Sequence, residues 1–190
     1  MTTMTTATEL LAAFARNFSI SEIHEQKPEL TLFKVPKEQA VRLLRELRDD
    51  AGYTHLAFLT NIDYIERGVF TLTYMLHNYA ARHSIGMHVD LDRDHAEMES
   101  IHNLWAQAAT YQRELREMYG IRFPGSPRLD DDFCLEGWDQ IPPMRKEFDT
   151  AAFSLERFYS REGRGTEDPR EHMKQQMYPT HTDKPSSGSH

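Results

Sequence analysis

Apolar side chains along this chain change their spacing several times, and each change predicts an element. Leu10, Leu11, Phe14 and Phe18 recur at short helical intervals, the stripe of an amphipathic first helix. Apolar and polar residues then interleave through Ile20 and Ile23, and again through Leu30, Leu32 or Phe33, and Val35, which predicts two strands, the second closed by Pro36. Helical spacing returns at Val41, Leu44 and Leu47, with Gly52 as its stop. The runs THLAFLTNIDY, GVFTLTYMLHNY and RHSIGMHVDL predict three further strands, joined by the short breaks IERG and NYAAR. Ile101, Leu104, Ala108, Tyr111, Leu115 and Met118 then predict one long helix from Asp94 to Tyr119, buried on one side.

The order helix, two strands, helix, three strands, helix predicts an α+β domain of two layers. Its helices cover one face of a five-stranded sheet, mixed or mostly antiparallel. The expected organisation is a core over residues 1–128, an extended partner-docking segment over 129–159, and a polar C-terminal tail over 160–190. Phe133, Leu135, Trp138, Ile141, Met144 and Phe148 supply the apolar anchors of the middle segment. The tail has only Met173, Met177 and Tyr178 as anchors and too little apolar surface to fold alone, so it is expected to be disordered or to lie along a partner.

Composition narrows the partners. A formal charge of −8 argues against nucleic acid or anionic lipid, both of which need a basic surface to displace counterions. No run approaches the roughly 20 apolar residues of a membrane span, so membrane contact is expected through another protein. Cys134 is the sole cysteine, which leaves no internal disulfide and no cysteine-ligated cluster and fits a reducing compartment. The first residues lack a basic segment and read as a helix rather than a signal peptide.

Candidate chemistry is sparse. His77, His83, His88, His95 and His102 cluster in sequence, but no metal-ligand spacing links them, and His83 and His88 are expected on opposite faces of a strand. A metal or proton-transfer role for this cluster is the enzyme alternative. Cys134, between Phe133 and Leu135, is expected as a small packed residue rather than a reactive thiol. Asp130, Asp131 and Asp132 lack calcium-loop spacing and read as a solvated turn. The segment YQRELREMYGIRFPGSP carries Arg113 and Glu117 four apart on a helix, and spacing alone leaves them open between a solvated face and a docking device. Gly120 suits a left-handed helix end, with Phe123, Pro124, Gly125 and Pro127 stiffening the exit.

Trp105 with this segment, followed by GWDQIPPMRKEF, resembles the signature of the C subunit of NADH:quinone oxidoreductase, respiratory complex I. Arg113, Glu114, Glu117, Met118, Tyr119, Gly120, Ile121, Phe123, Gly125 and Pro127 match its first block, and Pro143, Met144, Arg145, Lys146, Glu147 and Phe148 its second. Gln112, Ser126, Asp130 and Asp131 depart from the pattern and mark a divergent branch, which includes the relatives in membrane-bound nickel-iron hydrogenases and formate hydrogenlyases. The resemblance implies a structural subunit with no cofactor and no catalysis of its own. It implies docking on the large quinone-site (or hydrogenase-like) subunit beside iron-sulfur subunits, on the cytoplasmic side of the inner membrane. The interface it implies comprises Arg113, Glu114, Glu117, Tyr119, Gly120, Phe123, Gly125 and Pro127, with Trp138, Pro143, Arg145, Lys146 and Phe148 extending it.

Overall fold

The computed structural model describes residues 7–157. Two units divide the chain, one ending at Phe148 and the other beginning at Asp149. The first holds α1 (Ala7–Phe14), β1 (Ser21–Lys27), β2 (Leu30–Lys34), α2 (Lys37–Asp49), β3 (His55–Tyr64), β4 (Val69–Asn78), β5 (His83–Asp92) and α3 (Ala108–Tyr119). In the second, α4 (Thr150–Arg157) is started by Asp149, whose carboxylate accepts from the amides of Ala151 and Ala152. The expected tail over 160–190 lies outside the described residues.

Five strands form one sheet in the order β1-β2-β5-β4-β3. β2 runs parallel to β5 and the other neighbours are antiparallel, so the sheet is mixed. Alternation sorts its side chains. Phe70, Leu72, Tyr74 and Leu76 of β4 and Ile85, Met87, Val89 and Leu91 of β5 point to the helical layer and are buried, joined there by Leu43, Leu44 and Leu47 of α2. The α+β architecture therefore follows the hydrophobic pattern, with helices on one face of a five-stranded mixed sheet.

Two expectations change in the structure. Only Ala108–Tyr119 of the span 94–119 is helical. Residues before it form turns, in which the amides of Leu104 and Trp105 both bond the Ile101 carbonyl, at 2.9 and 3.0 Å, and Met98 and Ala96 trade backbone bonds with Arg122. Turns bury residues at three- and four-residue intervals, as a helix does, so Ile101 and Trp105 counterfeit the stripe. β1, read as an alternating strand, is exposed throughout because it forms the sheet's edge, and two register irregularities and a positive φ at Glu22 break its pairing.

The opposite edge is β3, and side chains from α3 and the turn before it cover several carbonyls along it. Trp105 Nε1 donates to Thr54 O at 2.8 Å, Tyr111 Oη to Ala57 O at 3.0 Å and Tyr119 Oη to Asn61 O at 3.3 Å, while Gln107 Nε2 donates to Leu56 O. This lacing fixes α3 against the sheet and sets where its C-terminus ends.

Candidate docking site

Gly120 ends α3 in the left-handed conformation, φ 78°, and its amide returns to the Arg116 carbonyl at 3.0 Å. A side chain here would meet Arg145, since a Cβ would lie 3.3 Å from its Nη2. Arg145 uses that space. Its Nε donates to Tyr119 O at 2.7 Å, satisfying a carbonyl that the helix end leaves open, and places positive charge at the negative pole of α3. The chain over 138–148 thus lies back on the domain as a strap.

Three further contacts staple it. The Lys146 amide donates to Asp63 Oδ2 at 2.9 Å, Lys146 Nζ reaches Glu66 at 3.0 Å, and the Glu147 carboxylate accepts from Arg93 Nη2. Arg93 also donates to both oxygens of Asp63, so the strap closes on a buried ion pair between β3 and the end of β5. Burial pushes the Asp63 carboxyl up, but hydrogen bonds from Arg93 and the Lys146 amide outweigh it and hold the group below the usual carboxylate range. Glu147 is likewise lowered, burial again opposing and Arg93 prevailing. Under the network lies Phe70, fully buried, with the guanidinium carbons of Arg93 and Arg145 at 5.3 and 5.2 Å from its ring centre and the Tyr119 ring edge-on at 5.8 Å.

Glu117 organises the segment that leads into the strap. Its carboxylate accepts three consecutive backbone amides, Phe133 at 2.7 Å, Cys134 at 2.8 Å and Leu135 at 3.1 Å. Arg113 stacks on the Phe133 ring at 5.4 Å. Cys134, expected to pack inside, is exposed instead, because its amide faces Glu117 while its side chain turns outward. Trp138 donates from Nε1 to Ile141 O at 3.1 Å and its ring meets Phe148 at 5.5 Å. A shallow groove lined by Glu117, Leu135, Trp138 and Pro142 separates α3 from the strap.

The residues singled out in the sequence therefore fall into groups. Glu117, Tyr119, Gly120, Arg145, Lys146 and Phe148 come together in the staple or its approach, with Arg113 and Trp138 beside them. Phe123 is fully buried and Pro143 half-buried, whereas Glu114, Gly125 and Pro127 are exposed. Asp63, Arg93 and Glu66 escape the sequence reading. One signal existed: in THLAFLTNIDY, Asp63 occupies the parity of buried Leu59 and Asn61, and a carboxylate at a core-facing position demands a cation.

His83 and His88 bond neighbouring side chains. His83 shares hydrogen bonds with Tyr53 Oη at 3.1 Å and Thr31 Oγ1 at 3.2 Å, while His88, on the other face of β5, pairs with Thr73 at 2.9 Å. Among the described residues no three His, Cys, Asp or Glu side chains are grouped to hold a metal ion. Asp130 and Asp131 pair with Arg116 at 3.5 Å and Arg128 at 2.6 Å. No described helix is long and apolar enough to cross a membrane.

An open-faced α+β domain with a stapled C-terminal strap is the class these features define. The chain belongs to the family described as respiratory-chain NADH dehydrogenase, 30 Kd subunit, whose sequence model matches residues 33–154. The C subunit of NADH-quinone oxidoreductase from Moorella thermoacetica is 35% identical over 114 residues, covering 60% of this chain and 76% of its own. The C subunit of F(420)H(2) dehydrogenase from Methanosarcina mazei is 28% identical over 135 residues, 69% of this chain and 83% of its own. A chain of the membrane-bound sulfane sulfur reductase, an archaeal respiratory membrane complex, shares the fold with a TM-score of 0.72 at 20% identity, over 84% of this chain and 98% of that one.

Proposed function

We infer that this chain is a cofactor-free structural subunit in the peripheral arm of a complex I-like oxidoreductase, seated on the large quinone-site subunit at the cytoplasmic face of the membrane. Electron transfer and its coupling to proton translocation belong to the assembly. One observation carries the docking mode. Three of the strap's charged groups, Arg145, Lys146 and Glu147, are engaged with its own domain, while Ile141 and Met144 stand outward at 48% and 56% exposure. A strap that displays apolar side chains and ties down the charges of its Arg145–Glu147 end suits a preformed contact. Arg113, Glu117 and Arg145 then act by shaping the strap and its approach, with Glu114 and Pro127 left to meet the partner directly.

Family membership and the fold shared with the sulfane sulfur reductase chain support a second reading. The same scaffold would serve a hydrogenase-related or other respiratory complex with a different donor or acceptor. Purification of the tagged full chain from its host distinguishes the two, since flavin and NADH-binding subunits accompany one and a nickel-iron large subunit the other. Met144→Glu and Ile141→Glu are expected to lose the large subunit from that preparation while the chain's melting temperature stays within a degree or two, as for surface substitutions. Full retention of the large subunit in both variants would overturn the strap as the contact.

A further inference from the structure

Opposite the helices, the alternate residues of the same strands make a second sheet face. Its polar groups pair across strands with one another, His77 with Ser84 at 2.9 Å, Thr73 with His88 at 2.9 Å, and Thr71 with Asp90 at 2.7 Å. Asp90 also takes Lys34 at 2.8 Å and Arg67 at 3.0 Å, so the charges at the middle of the face are matched within its plane.

Apolar side chains fill most of the remaining positions, with Thr60 between Phe58 and Ile62. By register Leu32, Gly86, Met75 and Phe58 stand in one row across four strands. A Cβ on Gly86 would lie 2.5 Å from Leu32 Cδ2 and 3.2 Å from Met75 Cε, so glycine lets these two side chains close over the sheet. Phe58 and Ile62 share this side of β3 and are 40% and 43% exposed.

A face that meets only water gains little from satisfying its hydroxyls and imidazoles internally, because water serves them as well. A face that is to be dehydrated needs that satisfaction in advance. We propose that this face is a second docking surface, occupied by an amphipathic helix of another subunit that is uncharged along its contact stripe. Charge matching dictates the stripe: Lys34 and Asp90 already neutralise each other, so an arriving charge would be buried without a partner. The edges favour a helix, since side chains occupy the Leu56, Ala57 and Asn61 carbonyls of β3 and β1 is irregular, which disfavours growth of the sheet by added strands. A helix about 10 Å across also spans two strands set about 4.8 Å apart, as the helices on the first face do. This surface is independent of the strap and stands or falls separately from it.

The test uses the full chain in its native complex, with the photo-reactive residue benzoylphenylalanine placed at position 62 and, in a separate preparation, at position 144. Position 62 is expected to cross-link to another subunit, in a segment with apolar residues at three- and four-residue spacing and no charged residue among them. Ile62→Glu is expected to lower incorporation into the complex about tenfold without lowering the free chain's melting temperature. Cross-links from position 62 to a second copy of this chain, to its own residues 158–190, or to nothing overturn the proposal, as does normal incorporation of Ile62→Glu. A cross-link at 62 without one at 144 keeps this surface and removes the strap.

Discussion

Arg93 holds Asp63 with two arms of its guanidinium, Nε to Oδ1 at 2.7 Å and Nη2 to Oδ2 at 2.9 Å, and the two side chains are only 10% and 4% exposed. A buried pair of this kind costs most when one member is removed and the other stays charged. Arg93→Met is therefore expected to destabilise the full chain by about 3–5 kcal/mol. Glu147→Gln touches the one-third exposed limb of the same network and is expected to cost about 1 kcal/mol or less. Urea unfolding of both variants checks the ordering, and the double variant Asp63→Leu, Arg93→Met should recover part of the loss, the Lys146 amide and Glu147 having lost these partners.

The same network sets an acid limit. Asp63 and Glu147 have folded-state pKa values below their unfolded ones, so their stabilisation is complete above about pH 4–5 and fades as pH falls through the folded values. Denaturation midpoints measured from pH 7 to pH 2 should drop below about pH 4. Asp63→Asn should flatten that drop, and an unchanged acid profile in the variant would exclude Asp63 as its source.

An alkaline limit arises elsewhere. Burial pushes the Tyr53 phenol up to about 12, beside His83. A raised folded pKa gives stability that is complete below the unfolded value of about 10 and lost as pH climbs toward the folded one. Ultraviolet titration of phenolate should show Tyr53 ionising well after the exposed tyrosines or only with unfolding, as for the fully buried Tyr74, and Tyr53→Phe should remove part of the alkaline loss of stability between about pH 10 and 12.

Two glycines separate strain from steric conflict. Gly120 and Gly125 have φ of 78° and 84°, but only at Gly120 would a Cβ meet other groups, Arg145 Nη2 and Pro142 Cγ. Alanine at either position is expected to cost about 1–2 kcal/mol for the left-handed backbone. Gly120→Ala should additionally loosen the strap, and limited proteolysis between residues 138 and 148 should accelerate in that variant alone.

Helices and inner strands were legible because each buries one face, and burial imposes a period on the sequence. Leu72, Tyr74 and Leu76 alternate in β4, and Val41, Leu44 and Leu47 recur in α2, as the packing requires. The turns over 94–107 misread as helix because Ile101 and Trp105 are buried at helical intervals by a backbone tied to Arg122. The strap was legible only as a resemblance. Its contacts join Lys146 to Asp63 and Glu147 to Arg93, across separations of 83 and 54 residues, and no local period records pairings so distant. Spacing left the Glu117 carboxylate open between solvent and a partner, yet it binds three amides whose convergence depends on a loop without periodicity.

The covered carbonyls of β3 bear on the life of the chain before assembly. Subunits translated apart from their partners pass through an orphan stage, during which free copies accumulate and meet one another. An open edge strand would let orphans recruit one another into polymers that no later partner can rescue. With Trp105, Gln107, Tyr111 and Tyr119 occupying that edge, strand-by-strand polymerisation through β3 is disfavoured in the free chain.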